Sequence, residues 1–445
     1  MINLKIIRKL KFVEILIILF PFIIIRGPAL PDISAVIIII FFLYKYFQQQ
    51  KKIIHGNYWI YFFFLLNFWF IFISFFAYDI KLSLTDAIIF IRFILFIIAI
   101  LYFLQNNNKL LNYLLYSVFF AILFVTIDTL FQFYNYSSEE GFGSDIFGIK
   151  ERGLYGRLNG PFNDYIPGSY LSRFYFLLLL LLFTNNFLLK KKIMSNILTI
   201  ILGIILSTIF FTGEQMSVCT TLMGLTIVFI FYKKYRKYVF LIIMTAMIII
   251  FANRLVHPVY NDYKIINDTS YHEGMLIQKE FQCKDDNEKI CFKNIQKQPS
   301  IFTVLKNFKD SAYGEIYITS FKMWQNNMLT GIGLNNYNIV CENEKEFKIK
   351  DKNLGCVTHP HNFYVQALTE SGLVGFLLFI ILVLFLLYQF KNFQNNEYKL
   401  IGLIVFLVIF WPIMSTGSFL KNGNMIFICF LIGICMHLSK NKVSK

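Results

Sequence analysis

The feature that most constrains this chain is a series of apolar stretches, each close to the length that crosses a bilayer. A membrane-spanning helix takes about 20 consecutive apolar residues. Twelve candidates recur, at about 12–26, 33–47, 58–77, 84–104, 110–133, 167–188, 193–211, 215–232, 238–256, 362–390, 400–414 and 425–438. Several fall short of the ideal span, so composition must support the reading. Of 445 residues, 57% are hydrophobic and 15% charged, and the mean hydropathy is +0.59. Soluble domains lie nearer about 45–50% apolar and about 25% charged. The expected fold is an all-α polytopic membrane protein of about 12 transmembrane helices, one integral membrane domain over 1–445. The first stretch lacks a small-residue cleavage site and leads into Gly27-Pro28, so it reads as a retained helix.

Lys and Arg mark the cytoplasmic side of a membrane protein. Here they cluster at Lys5–Lys11, Lys45–Lys52, Lys109, Lys190–Lys192, Lys233–Lys237, Lys391–Lys399 and Lys440–Lys445, which fall on alternate loops. This pattern puts both termini on the cytoplasmic side. The net charge of +16 is then a topology signal. Spread over many loops, it argues against a nucleic-acid surface. Two large loops fall on the periplasmic side, 134–166 and 257–360, the second just before helix ten. Long loops of this kind carry function more often than short connections do.

Four of the seven cysteines, Cys283, Cys291, Cys341 and Cys356, lie in the larger loop. An oxidising compartment favours disulfides, and Cys283–Cys291 and Cys341–Cys356 are the local pairings. The alternative is zinc, because Cys356, His359 and His361 offer thiolate and imidazole. Their spacing is not a common zinc pattern, and no metal or other cofactor is expected.

The segment THPHNFYVQALTESGLVG, Thr358 to Gly375, places two histidines at the mouth of an apolar helix. Pro360 suits a first helical turn, so the helix is expected to begin near His359–His361. Residues 361, 365, 368, 372 and 375 would then share a face. Gly372 and Gly375 would let another helix approach closely. Asn362, Gln366, Thr369 and Glu370 form a polar side, costly in lipid unless it lines a cavity or pairs. Glu370 would lie roughly 13 Å below His361. Arg92 and Asp128, at similar depth, are expected to pair.

Written as H-N-x9-G-x-x-G, the segment from His361 to Gly375 resembles the signature of bacterial O-antigen ligases, in the O-antigen ligase/polymerase superfamily. MWQNNMLTGIGLNNY (Met323 to Tyr337) resembles that family's segment ending in a G-[IV]-G turn. Phe211-Thr212-Gly213-Glu214 resembles its TG boundary between helices, and GRLNGPFNDYIPGSYL (Gly156 to Leu171) an earlier periplasmic segment. The resemblance covers about 156–375. It implies a metal-independent glycosyltransferase on the periplasmic side. Its donor would be a glycan on undecaprenyl pyrophosphate and its acceptor a sugar hydroxyl of lipid A–core, with membrane lipids around it.

His361 would be the base on that hydroxyl, and arginines would hold the pyrophosphate. The chain departs from the family here. Gln215 stands where the TG boundary commonly continues to arginine, and Lys322 is the nearest cation before the W-x-x-N stretch. Arg157, Arg152 and Arg173 are the candidates for the phosphate role, Arg157 foremost. Gln215, Lys322, Asn362 and Glu370 complete the expected substrate-binding set. Gly372, Gly375, Cys341 and Cys356 are structural. Joining of lipid-linked repeat units by a polymerase, glycan transfer to protein hydroxyls, and transport or flipping are the competing functions.

Overall fold

A computed structural model describes residues 11–49, 57–107, 109–137, 141–149, 156–164, 166–183, 192–261, 263–267, 275–283, 286–347, 355–413 and 415–440. Every one of the twelve apolar stretches contains a helix. In chain order these are α1 (Phe12–Ile23), α2 (Ala29–Gln49), α3 (Tyr58–Ser74), α4 (Ile80–Ile89), α5 (Ile91–Asn106), α6 (Leu110–Tyr134), α7 (Pro167–Phe183), α8 (Lys192–Phe211), α9 (Gln215–Phe231) and α10 (Arg236–Val256). After them come the short α11 (Ile301–Lys306), then α12 (Ala312–Asn326), α13 (Tyr337–Asn343), α14 (Phe363–Tyr388), α15 (Glu397–Ile409) and α16 (Asn422–Lys440). Seven of the described helical stretches are long and apolar enough to cross a membrane, with α3, α7 and α9 shorter but apolar.

The surface agrees with lipid as the solvent. On α10, Phe240, Leu241, Met247, Ile248 and Phe251 are all exposed. In water such a contiguous patch marks an interaction site or an aggregation liability. In a bilayer it costs nothing.

The chain divides into two compact units, residues 1–117 with 315–445, and residues 118–314. In the first, α16 is buried along most of its length and packs on α5, α15 and α2. Gly433 makes the α16–α5 crossing close: a Cβ there would stand 2.7 Å from Ile100 Cβ. In the second unit, α8 packs on α10 at Gly203, where a Cβ would meet Thr245 Cβ at 2.6 Å.

The helices agree with an all-α membrane protein, to which the 257–360 segment adds a three-stranded antiparallel sheet, β3 (Lys264–Asn267), β4 (Met275–Cys283) and β5 (Asp286–Lys297), in that order. A two-residue ladder, β1 (Tyr136–Ser137) with β2 (Gly141–Phe142), precedes it in the chain. The β5 strand is mostly polar, and its Ile290 and Phe292 are exposed, so no apolar face announces it.

Arg92 does not pair with Asp128. It bridges to Asp32 at 3.1 Å and donates to Asn422, which in turn donates to Asp32 at 3.3 Å. Asp128 instead accepts the Ile146 N–H at 3.3 Å. Depth in the membrane fixes which charges could meet, not which helices are neighbours.

Cys341 and Cys356 form a disulfide with Cα atoms 5.4 Å apart. Cys291 is also disulfide-bonded. The side chain of Cys283, its expected partner, lies outside the described residues, as does Arg152.

Candidate functional site

The histidine segment is built by its capping residue. Helix α14 begins at Phe363, not at His359–His361, because Asn362 is a strong N-cap. Its Oδ1 accepts the N–H of Tyr364 at 2.9 Å and of Val365 at 3.2 Å, and its Nδ2 donates to Pro412 O at 2.7 Å. His361 therefore stands outside the helix, with φ of 52°. That left-handed conformation is uncommon for a residue with a Cβ and costs energy unless its surroundings enforce it. Here the N–H of Thr416 holds the His361 carbonyl at 2.7 Å. The segment after α15 thus fixes both Asn362 and His361.

The two imidazoles lie 4.1 Å apart, ring centre to ring centre. His359 Nδ1 is 2.9 Å from Thr358 Oγ1, which accepts from Lys421 Nζ at 3.3 Å. Burial pushes the His359 pKa down to about 3, helped by His361 and Lys421. Burial, then Lys421, also lowers His361 below the ordinary histidine range. Both rings are neutral at pH 7. A neutral imidazole at a fixed position can accept a proton from a bound hydroxyl.

The face arithmetic linking His361 to Gly372 and Gly375 assumed an unbroken helix, and α14 breaks at Gly372 (φ 68°, ψ −174°). This region is open essentially to glycine alone. The break leaves the carbonyls of Thr369, Glu370 and Ser371 without their helical partners. The T-G-I-G loop supplies two: Ile332 N–H donates to Thr369 O at 3.1 Å and Gly333 N–H to Glu370 O at 3.0 Å. Trp69 Nε1 donates to Ser371 O at 3.0 Å, and Leu373 N–H to Met328 O at 2.8 Å.

Two glycines make the approach possible. A Cβ on Gly372 would meet Leu329 O at 2.2 Å, and one on Gly331 would meet the Glu370 carbonyl carbon at 2.6 Å. At Gly372 the close partner is thus a loop, whereas at Gly375 it is helix α3, whose Trp69 Nε1 would stand 2.9 Å from a Cβ. A Cβ on Gly375 would meet Ser371 Oγ at 2.2 Å. Glu370 is buried with Gln366, whose Nε2 donates to Glu370 Oε2 at 3.0 Å and to Ser418 Oγ at 2.8 Å. Lys322 is exposed on α12.

The second unit holds a separate charged centre. Arg157 Nη1 donates to Gln298 Oε1 at 2.8 Å. Gln215 Nε2 donates to Pro299 O at 2.9 Å, and its Oε1 accepts from Ile301 N–H. Both residues therefore hold the strand of chain leading into α11.

Beside them is Glu214, which sequence reasoning missed although it directly follows the TG pair. Its carboxylate accepts the N–H groups of Gly168 at 2.7 Å and Ser169 at 2.9 Å. That is the N-terminus of α7, where backbone N–H groups and the helix dipole favour an anion. Burial raises its pKa, against the pull of Arg157 and these donors. Arg173 is buried on α7 and lies in the field of Glu214. Among the described residues no group of three or more His, Cys, Asp or Glu side chains is placed to hold a metal ion.

The helices and their apolar outer surface define a multi-pass membrane protein. Residues 198–380 match the O-antigen ligase family model. The matched stretch takes in Gln215, Lys322, His361, Asn362, Glu370, Gly372 and Gly375, and it supports the O-antigen ligase superfamily for that part of the chain. No curated protein matches the chain.

Proposed function

We propose that the chain is a glycosyltransferase of the O-antigen ligase type, acting on the periplasmic side of a bacterial inner membrane. It moves a glycan from undecaprenyl pyrophosphate to a sugar hydroxyl of lipid A–core. The observation that carries this reading is His361, a neutral imidazole fixed outside the helix by Asn362 and Thr416. In the reaction the acceptor hydroxyl gives its proton to His361, and its oxygen attacks the anomeric carbon. The bond from that carbon to phosphate oxygen breaks, and the lipid pyrophosphate leaves with the electron pair. The leaving group is already good, and its charge is best met by Arg, which is permanently cationic and binds phosphate oxygens in pairs. Arg157 is the residue proposed for this within the second unit. Gln215, with both ends of its amide bonded to the chain, supports the segment around Arg157 and supplies no charge.

The test is transfer by purified protein in lipid vesicles, given undecaprenyl-pyrophosphate glycan with and without lipid A–core. Glycan on lipid A–core supports the ligase. Longer lipid-linked chains formed without core would make it a polymerase. A folded protein with neither product, but moving the donor across the vesicle membrane, would refute glycosyl transfer.

A further inference from the structure

Buried polar atoms are nearly always hydrogen-bonded, and leaving one without a partner costs about 1–3 kcal/mol. Two such atoms accompany His361. His359 Nε2 and Thr416 Oγ1 are buried and make no hydrogen bond with any described residue. Their residues are 6% and 5% exposed. The two belong to one cluster. The His359 and His361 rings touch, Thr416 N–H holds His361 O, and the Thr416 backbone approaches both imidazoles.

The hydrogen-bond chain behind His359 identifies what its Nε2 offers. An ammonium only donates, so Thr358 Oγ1 accepts from Lys421. The threonine hydroxyl keeps its own proton to donate to His359 Nδ1, in the tautomer that carries the ring proton on Nε2, and we assign that tautomer. In it, the two unsatisfied groups are a neutral N–H donor and a hydroxyl that can donate or accept. A phosphate oxygen would be met better by charge, and the ammonium of Lys421 is engaged at the far end of the chain. A sugar hydroxyl, which itself donates and accepts, satisfies both atoms.

We infer that His359 Nε2 and Thr416 Oγ1 form a subsite for a second hydroxyl of the acceptor sugar, next to the hydroxyl that reacts at His361. The inference rests on the reading of His361 as the acceptor base. The subsite explains why two unpaired polar atoms persist beside that residue: the substrate completes them. It also gives the acceptor an orientation, because one hydroxyl is held while its neighbour reacts.

The experiment uses full-length protein in vesicles with Thr416→Val, Thr416→Ser, His359→Leu and His359→Gln. Valine keeps the shape of threonine and removes the hydroxyl, and glutamine keeps an N–H near the position of Nε2. Thr416→Val and His359→Leu are expected to raise the KM for lipid A–core about tenfold, on the order of one hydrogen bond. The donor KM should not move, and the serine and glutamine variants should stay near wild type. Thr416→Val should fold at least as stably as wild type, since it removes an unsatisfied group. Independently of turnover, binding of released core oligosaccharide should weaken about tenfold in Thr416→Val, with inorganic pyrophosphate binding unchanged. Oligosaccharide binding that is unchanged in Thr416→Val, or a loss falling on pyrophosphate instead, overturns the subsite whatever His361 does. Full turnover by His361→Ala would remove the base reading and would not mimic either result.

Discussion

Gly372→Ala offers a quantitative test of how the site is held. Two separate costs apply. The first is backbone strain, about 1–3 kcal/mol for a residue with a Cβ in this region. The second is steric. With Leu329 O at 2.2 Å and Gly331 N at 2.6 Å from the new Cβ, the loop must retreat. That breaks the bonds from Ile332 to Thr369 and from Gly333 to Glu370, each about 0.5–1.5 kcal/mol. Together the loss is on the order of 3–5 kcal/mol, reduced by about 0.4–1 kcal/mol because alanine also restricts the unfolded chain.

Gly27 separates the two costs. It has nearly the same backbone, φ 85° and ψ −172°, and nothing within 4 Å of a built Cβ. Gly27→Ala therefore carries the strain alone. Unfolding of both variants in detergent, followed by circular dichroism, should show Gly372→Ala losing about 2 kcal/mol more than Gly27→Ala, two lost hydrogen bonds' worth. Equal losses would refute the claim that the T-G-I-G loop locks the break in α14.

Other perturbations follow from the same contacts. Arg92→Met should destabilise the first unit by about 1–3 kcal/mol, because Asp32 loses its ion pair, and adding Asp32→Asn should recover part of it in the same unfolding assay. Breaking Cys341–Cys356 with reductant, or by Cys341→Ala with Cys356→Ala, should cost about 3 kcal/mol for a loop of 15 residues, read as a lower unfolding midpoint. His359 has a folded pKa near 3, below its ordinary value of 6.5, so unfolding takes up a proton between those values. Stability should hold above pH 6.5 and fall as pH drops toward 3, by at most about 1.4 kcal/mol per unit for this group. His359→Gln should flatten that slope in a pH series of unfolding midpoints.

The membrane helices were legible because an apolar run of bilayer length has few other fates. The position of His361 at the mouth of α14 was legible too, from the histidine pair ahead of an apolar run. What escaped was set by distant contacts. The left-handed turn at His361 depends on Thr416 and Pro412, about 50 residues on in the sequence. The break at Gly372 depends on a loop some 40 residues earlier. A periodicity argument treats α14 as straight and cannot see either partner. Arg92 was read correctly as a charge that must pair, but Asp32 came from a helix that sequence order does not mark as its neighbour. Glu214 escaped because its partners, the N–H groups of Gly168 and Ser169, lie about 45 residues earlier in the chain and no local motif marks them.

The account's central claim is that His361 takes the acceptor proton while neutral. The most direct measurement is the pH dependence of glycan transfer under saturating donor and acceptor, for wild type and His361→Ala together. The account predicts that wild-type turnover falls to half only at a pH below 6.5, because burial and then Lys421 lower the His361 pKa. It also predicts that His361→Ala loses about 10²–10⁴-fold in kcat at every pH. A wild-type rate that halves at the ordinary histidine pKa, or an alanine variant that turns over at full rate, would contradict it.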